Sequence, residues 1–141
     1  MIPSMLAASD VLGTGWFAAD AAAVAPGKTV AVVGDGAVGL LGVLAAKEMG
    51  AERIILFVGV SHGVSLPGSE LFAAEVHLMG GPAPVRRFLP ELIELIWRRR
   101  IDPGKVFDQT LPLDQVAEGY RAMDERRAIK TLLRPTPDPM Q

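Results

Sequence analysis

Cysteine is absent from the 141 residues, which excludes disulfides, thiolate zinc sites and cysteine nucleophiles. Histidine is confined to His62 and His77. Neither sign of charge dominates: 14 basic and 16 acidic residues leave a formal net charge of −2, so nucleic-acid binding has no electrostatic footprint. Long hydrophobic runs are missing too. Mean hydropathy is +0.30, yet the most apolar stretch, Thr29 to Ala46, contains Asp35 and four glycines. It falls short of the ~20 apolar residues that span a bilayer. The opening Met1-Ile2-Pro3-Ser4 has no basic region of the kind that starts an export signal. A cytoplasmic protein is expected, with neither membrane nor nucleic acid as partner.

Half of the residues are hydrophobic and about a fifth charged, a composition that builds a packed core. Residues 5–26 are Ala-rich and favour helix, broken at Gly13-Thr14-Gly15 and ended by Pro26-Gly27. Thr29 to Val33 reads as a strand buried on both faces. A glycine turn then opens a helix reaching about Met49, and Arg53 to Val60 forms a second strand. Strand, turn, helix and strand make a βαβ unit. Ser61 to Glu70 reads as a loop and Glu75 to Met79 as a short strand. Residues 85–100 put Val85, Phe88, Leu89, Leu92, Leu95 and Ile96 on one helical face, with Pro90 in the first turn or at a kink. Val106 to Leu111 is a further strand, and Leu113-Asp114 is read as staple and cap of a helix carrying Val116, Tyr120 and Met123. Thr131 to Leu133 is the last strand.

The expected fold is α/β: a partial Rossmann-like, doubly wound and mostly parallel sheet with flanking helices. Its parts are a lead-in helix over 1–28, a truncated dinucleotide-binding core over 29–82, a helix-strand-helix-strand segment of the same domain over 83–135, and a disordered tail over 136–141.

Gly34-x-Gly36-x-x-Gly39 carries the chemistry. In its strand-to-helix context, Gly34 permits the tight turn, Gly36 lets a pyrophosphate approach the backbone, and Gly39 lets helix and strand pack closely. Exposed N–H groups and the helix dipole attract phosphate. The bland reading is a glycine cluster that opens a helix and binds nothing. The acid that bonds the ribose should stand about 20 residues after the motif begins. Phe57 occupies that place, while Glu48 and Glu52 precede the strand. Two other motifs compete. Gly59-Val60-Ser61-His62-Gly63 matches a nucleophile elbow, so Ser61 is a remote hydrolase candidate, but Val64 to Gly68 does not read as the helix such an elbow needs. Gly27-Lys28-Thr29 mimics the end of a P-loop; its partner glycine would be at 22, which is Ala22, and it reads as a turn.

The run VAPGKTVAVVGDGAVGL, from Val24 to Leu40, resembles the cofactor-domain entry of zinc-dependent, medium-chain alcohol dehydrogenases, as does Ser9 to Gly15 before it. Phe57 to Gly63 resembles a late strand and loop of that domain, and Gly80 to Arg134 their C-terminal part, including Leu111 to Tyr120. Measured against that family, the catalytic barrel has no counterpart here, and a second gap falls between Leu56 and Phe57. The chain therefore reads as a family member with two deletions.

The resemblance implies NAD or NADP as cofactor. It places Gly13 and Thr14 at the turn beside the nicotinamide and Gly34, Gly36, Ala37, Val38 and Gly39 at the pyrophosphate turn. Val58, Gly59 and Val60 line the nicotinamide, and Lys130 reaches the cofactor phosphates; its bland reading is a solvated lysine before an edge strand. Asp10 matches a zinc-ligand position, but its Cys and His companions are missing and zinc needs three protein ligands. A helix-cap or surface carboxylate is the simpler reading, and zinc is expected to be absent. No catalytic residue is assigned. Two readings stay open: an NAD(P)-dependent oxidoreductase with catalysis impaired by the deletions, and a non-catalytic dinucleotide-binding or assembly module. A homodimer or larger assembly is expected from apolar edge strands.

Overall fold

A computed structural model describes residues 1–57, 67–74 and 82–135, with backbone alone for 55–57. The helices are α1 (Ile2–Ala8), α2 (Val11–Ala21), α3 (Ala37–Glu48), α4 (Gly68–Ala73), α5 (Val85–Trp97) and α6 (Val116–Asp124). The strands are β1 (Thr29–Val33), β2 (Arg53–Phe57), β3 (Gln109–Pro112) and β4 (Thr131–Arg134). Both ladders are parallel, as expected. β1 pairs with β2, Thr29 opposite Arg53 through Val33 opposite Phe57. β3 pairs with β4, Gln109 opposite Thr131 through Pro112 opposite Arg134. Among the described residues they form two separate pairs rather than one sheet.

The core lies between helices. Leu12 and Leu92 are completely buried, and Trp16, Leu41, Phe88, Ile96, Ile101 and Val106 close around them. The helical face expected for 85–100 is the one α5 turns inward through Phe88, Leu92 and Ile96. Ser4, buried in α1, ties the chain's start to a 3₁₀ turn at Pro103–Val106. Its hydroxyl donates to Asp102 Oδ1 at 2.7 Å and accepts from the Gly104 amide at 3.2 Å.

Several local expectations are corrected. The first helical stretch begins at Ile2 and breaks at Ser9-Asp10, and α2 runs straight through Gly13-Thr14-Gly15. These glycines serve packing. A Cβ on Gly15 would stand 2.6 Å from the Gly42 amide nitrogen of α3, and one on Gly13 would stand 3.0 Å from Val85. β1 is not buried on both faces: Thr29, Ala31 and Val33, on one face, are exposed, while Val30 and Val32, on the other, are half-buried. α4 occupies the end of the stretch read as loop, with no buried residue. Pro90 sits well inside α5 rather than in its first turn.

The strand expected from Val106 begins instead at Gln109, since Pro103–Val106 is a 3₁₀ turn. A short 3₁₀ turn over Leu113–Gln115 precedes α6, so Asp114 makes no side-chain cap bond and Gln115 takes the cap position. Small residues, Gly119 and Ala122, form the buried side of α6 and leave Tyr120 exposed. The readings of Val58 to Val60 as the end of β2, of Glu75 to Met79 as strand and of 136–141 as tail lie outside the described residues. No helix among the described residues is long and apolar enough to cross a membrane.

Candidate functional site

β1 delivers the chain into Gly34 with φ of +109°, a conformation in which an L side chain is strained. Gly36 caps α3 in extended geometry, φ −76° and ψ −178°. Its backbone is open: a Cβ there would meet nothing within 4 Å. Gly39 is the opposite case, since a Cβ would lie 1.9 Å from the Gly34 carbonyl oxygen. Of the three glycines, Gly34 turns the chain, Gly36 leaves its backbone open, and Gly39 brings the helix close to the strand turn.

A cavity of about 610 Å³ adjoins this turn, walled by Gly34, Gly36 to Gly39, the β1 residues Val30 to Val33, Ala18 and Ala19 of α2, and Ala22 at its end. Lys130 lines it as well. Tertiary structure therefore joins the glycine turn to Lys130, 94 positions after Gly36 in the chain. Lys130 is held by a residue that spacing rules did not flag. The Asp108 carboxylate accepts the Ile129 amide at 2.9 and 3.1 Å and the Lys130 amide at 3.2 Å. Asp108 belongs to no recognisable motif, and its role arises only once β3 and β4 lie side by side.

A second cleft, about 320 Å³, meets the first at Gly36 and is lined by Asp35, Asp108 and the turn after α6. Arg126 and Arg127 both face it. Arg127 is engaged by Glu125 at 2.7 Å and Glu118 at 2.8 Å, and the bonds from these carboxylates raise its already high pKa. Arg126 instead reaches across to Asp35 at 3.4 Å. Neither Asp35 nor Arg126 was singled out by sequence, since an acid inside the glycine motif and a basic turn carry no spacing signal alone.

Gly13 and Thr14 lie in the first turn of α2 rather than in a loop, and the Thr14 hydroxyl donates to the Asp10 carbonyl at 3.1 Å. Asp10 occupies the N-cap position of α2, exposed, with no side-chain capping bond. No group of three or more His, Asp or Glu among the described residues is placed to hold a metal. Among the described residues the donors therefore make up no zinc site, and no chemistry is routed through one. Val58, Gly59, Val60, Ser61, His62 and His77 lie outside the described residues.

A parallel α/β unit with a glycine-rich turn between strand and helix is the Rossmann-like class of fold. No family model matches the chain. In sequence it is similar to an uncharacterised zinc-type alcohol dehydrogenase-like protein of Bacillus subtilis, 31% identical over 97 residues, covering 66% of this chain and 26% of that one. It is also similar to a probable zinc-binding alcohol dehydrogenase of Mycobacterium tuberculosis, 44% identical over 55 residues, covering 38% and 14%. A Thermus alcohol dehydrogenase shares the fold with TM-score 0.86 at 18% identity, over 96% of this chain and 60% of that one. A zinc-dependent alcohol dehydrogenase from Streptococcus pneumonia does so with TM-score 0.78 at 15% identity, over 91% and 58%. The chain is alcohol dehydrogenase-like in both sequence and fold, as its motifs led us to expect. It spans about a quarter or less of the curated relatives it matches.

Proposed function

We propose that this chain holds the pyrophosphate half of a nicotinamide dinucleotide site, NAD or NADP, of the alcohol dehydrogenase type. The observation that carries the reading is the open backbone at Gly36, facing the cavity that Lys130 also lines. The amides at the start of α3 and the Lys130 ammonium offer donors and positive charge to two phosphates. Small side chains at Ala18, Ala22 and Ala31 leave room for a planar, largely apolar group beside them. When bound, the nicotinamide supplies hydride chemistry; this chain's residues bind and orient it.

Phe57 ends β2 opposite Val33, where an acid would grip the ribose. Weak affinity and little preference between NADH and NADPH follow. Hydride transfer also needs an electrophile to polarise the substrate carbonyl, and the described residues supply no zinc-type donor set for one. The chain by itself therefore binds the cofactor without turning over alcohols. Calorimetric titration with NADH and NADPH, beside an alcohol-oxidation assay of the same sample, tests both statements. Heat of binding abolished by Gly36→Asp supports the reading. Unchanged binding by that variant overturns it.

A further inference from the structure

Arg126 follows α6 with φ of +56°, at a helix-end position that glycine favours. Its turn is locked by main-chain bonds, Arg127 N–H to the Ala122 carbonyl at 2.8 Å and Arg126 N–H to the Met123 carbonyl at 3.2 Å. The backbone thus fixes where this side chain starts. From there the guanidinium crosses the cleft to Asp35, inside the glycine motif and one residue before the open backbone of Gly36. At 3.4 Å, with both side chains substantially exposed, the pair is loose. The neighbouring Arg127 is bound at 2.7 and 2.8 Å by two carboxylates of its own region, so it is not the cation available to a ligand.

We propose that Arg126 is a phosphate-binding residue of the dinucleotide site, with Asp35 as its resting counter-ion. The inference rests on the dinucleotide reading above and adds a residue to it. An anion settling at Gly36 meets a guanidinium within one residue's reach. Arginine offers a forked set of donors matched to phosphate oxygens, and the exchange of Asp35 for phosphate needs only a side-chain rotation. Asp35 opposes the phosphate in two ways: it repels the anion, and it competes for the guanidinium. It therefore sets a threshold that a doubly charged diphosphate passes more easily than a single negative charge.

The test compares NADH affinity, by fluorescence titration with inorganic pyrophosphate as competitor, in the intact chain and three variants. R126G is expected to weaken NADH and pyrophosphate about tenfold, the loss of one charge-assisted contact, while the thermal midpoint holds or rises because glycine suits the positive φ. R126K should recover part of the affinity, and D35N should tighten binding severalfold. NADH bound equally by the intact chain and R126G overturns the role of Arg126 and leaves the dinucleotide reading standing. An intact chain that binds neither probe overturns both. If R126G lowers the midpoint, D35N decides: affinity unchanged or weakened in that variant refutes the counter-ion role.

Discussion

At Gly36 and Gly39, two residues of one motif answer to different forces. Gly39 has no room for a methyl group, because the Gly34 carbonyl stands 1.9 Å from where its Cβ would be. Gly39→Ala should therefore destabilise by at least about 1–3 kcal/mol, the usual cost of overpacking, read as a lower midpoint in urea. Gly36 has open space and an ordinary backbone. Gly36→Ala should leave the midpoint within about 0.5 kcal/mol, as for most surface changes, yet lower NADH affinity by crowding the phosphate. Asp108 is a third case. Its carboxylate accepts both amides before β4, so Asp108→Ala should cost about 1 kcal/mol and weaken NADH binding by loosening Lys130. Asp108→Asn, which keeps one acceptor oxygen, should restore part of both losses.

Among the elements, α5 separates what patterning reveals from what it hides. Its apolar period placed Phe88, Leu92 and Ile96 inward, and they are buried. Leu92→Ala should cost about 2–5 kcal/mol through the cavity it leaves, whereas Trp97→Ala, at a residue 64% exposed, should be nearly silent. Pro90 lies within the helix and removes one main-chain bond. Pro90→Ala should raise stability by up to about 3 kcal/mol, measured by chemical denaturation. In α2 the local signal pointed the wrong way. Gly13 and Gly15 have the look of a helix break, but burial against Val85 and against the α3 backbone makes small residues necessary there. Propensity describes an isolated helix; close packing overrode it.

At the scale of the whole molecule, the exposure of β1 among the described residues is the dominant feature. Val33 is 59% exposed and Phe72 88%, and on the described residues β1 has a single neighbour. An apolar strand with no second neighbour among the described residues offers a template for another chain, and a twofold pair is the commonest closed arrangement. We expect a homodimer or larger species by light scattering coupled to size exclusion. A single 15.0 kDa species at all concentrations would rule it out.

The sequence alone determined the parallel βαβ unit, the glycine turn between β1 and α3 and the inward face of α5. Each depends on neighbours close along the chain: a β-branched run, fixed glycine spacing and a helical period. Its resemblance to zinc-dependent alcohol dehydrogenases rested on the same local runs, and the comparisons of sequence and fold bear it out. The resemblance alone had set Lys130 near the phosphates; only tertiary structure decided that Asp108 holds its backbone and that Arg126 meets Asp35 at a separation of 91 positions. It also decided that one face of β1 is exposed among the described residues and that α2 runs through its glycines. Those outcomes depend on which surfaces meet, and a contact between distant residues has no period or spacing for a sequence to display.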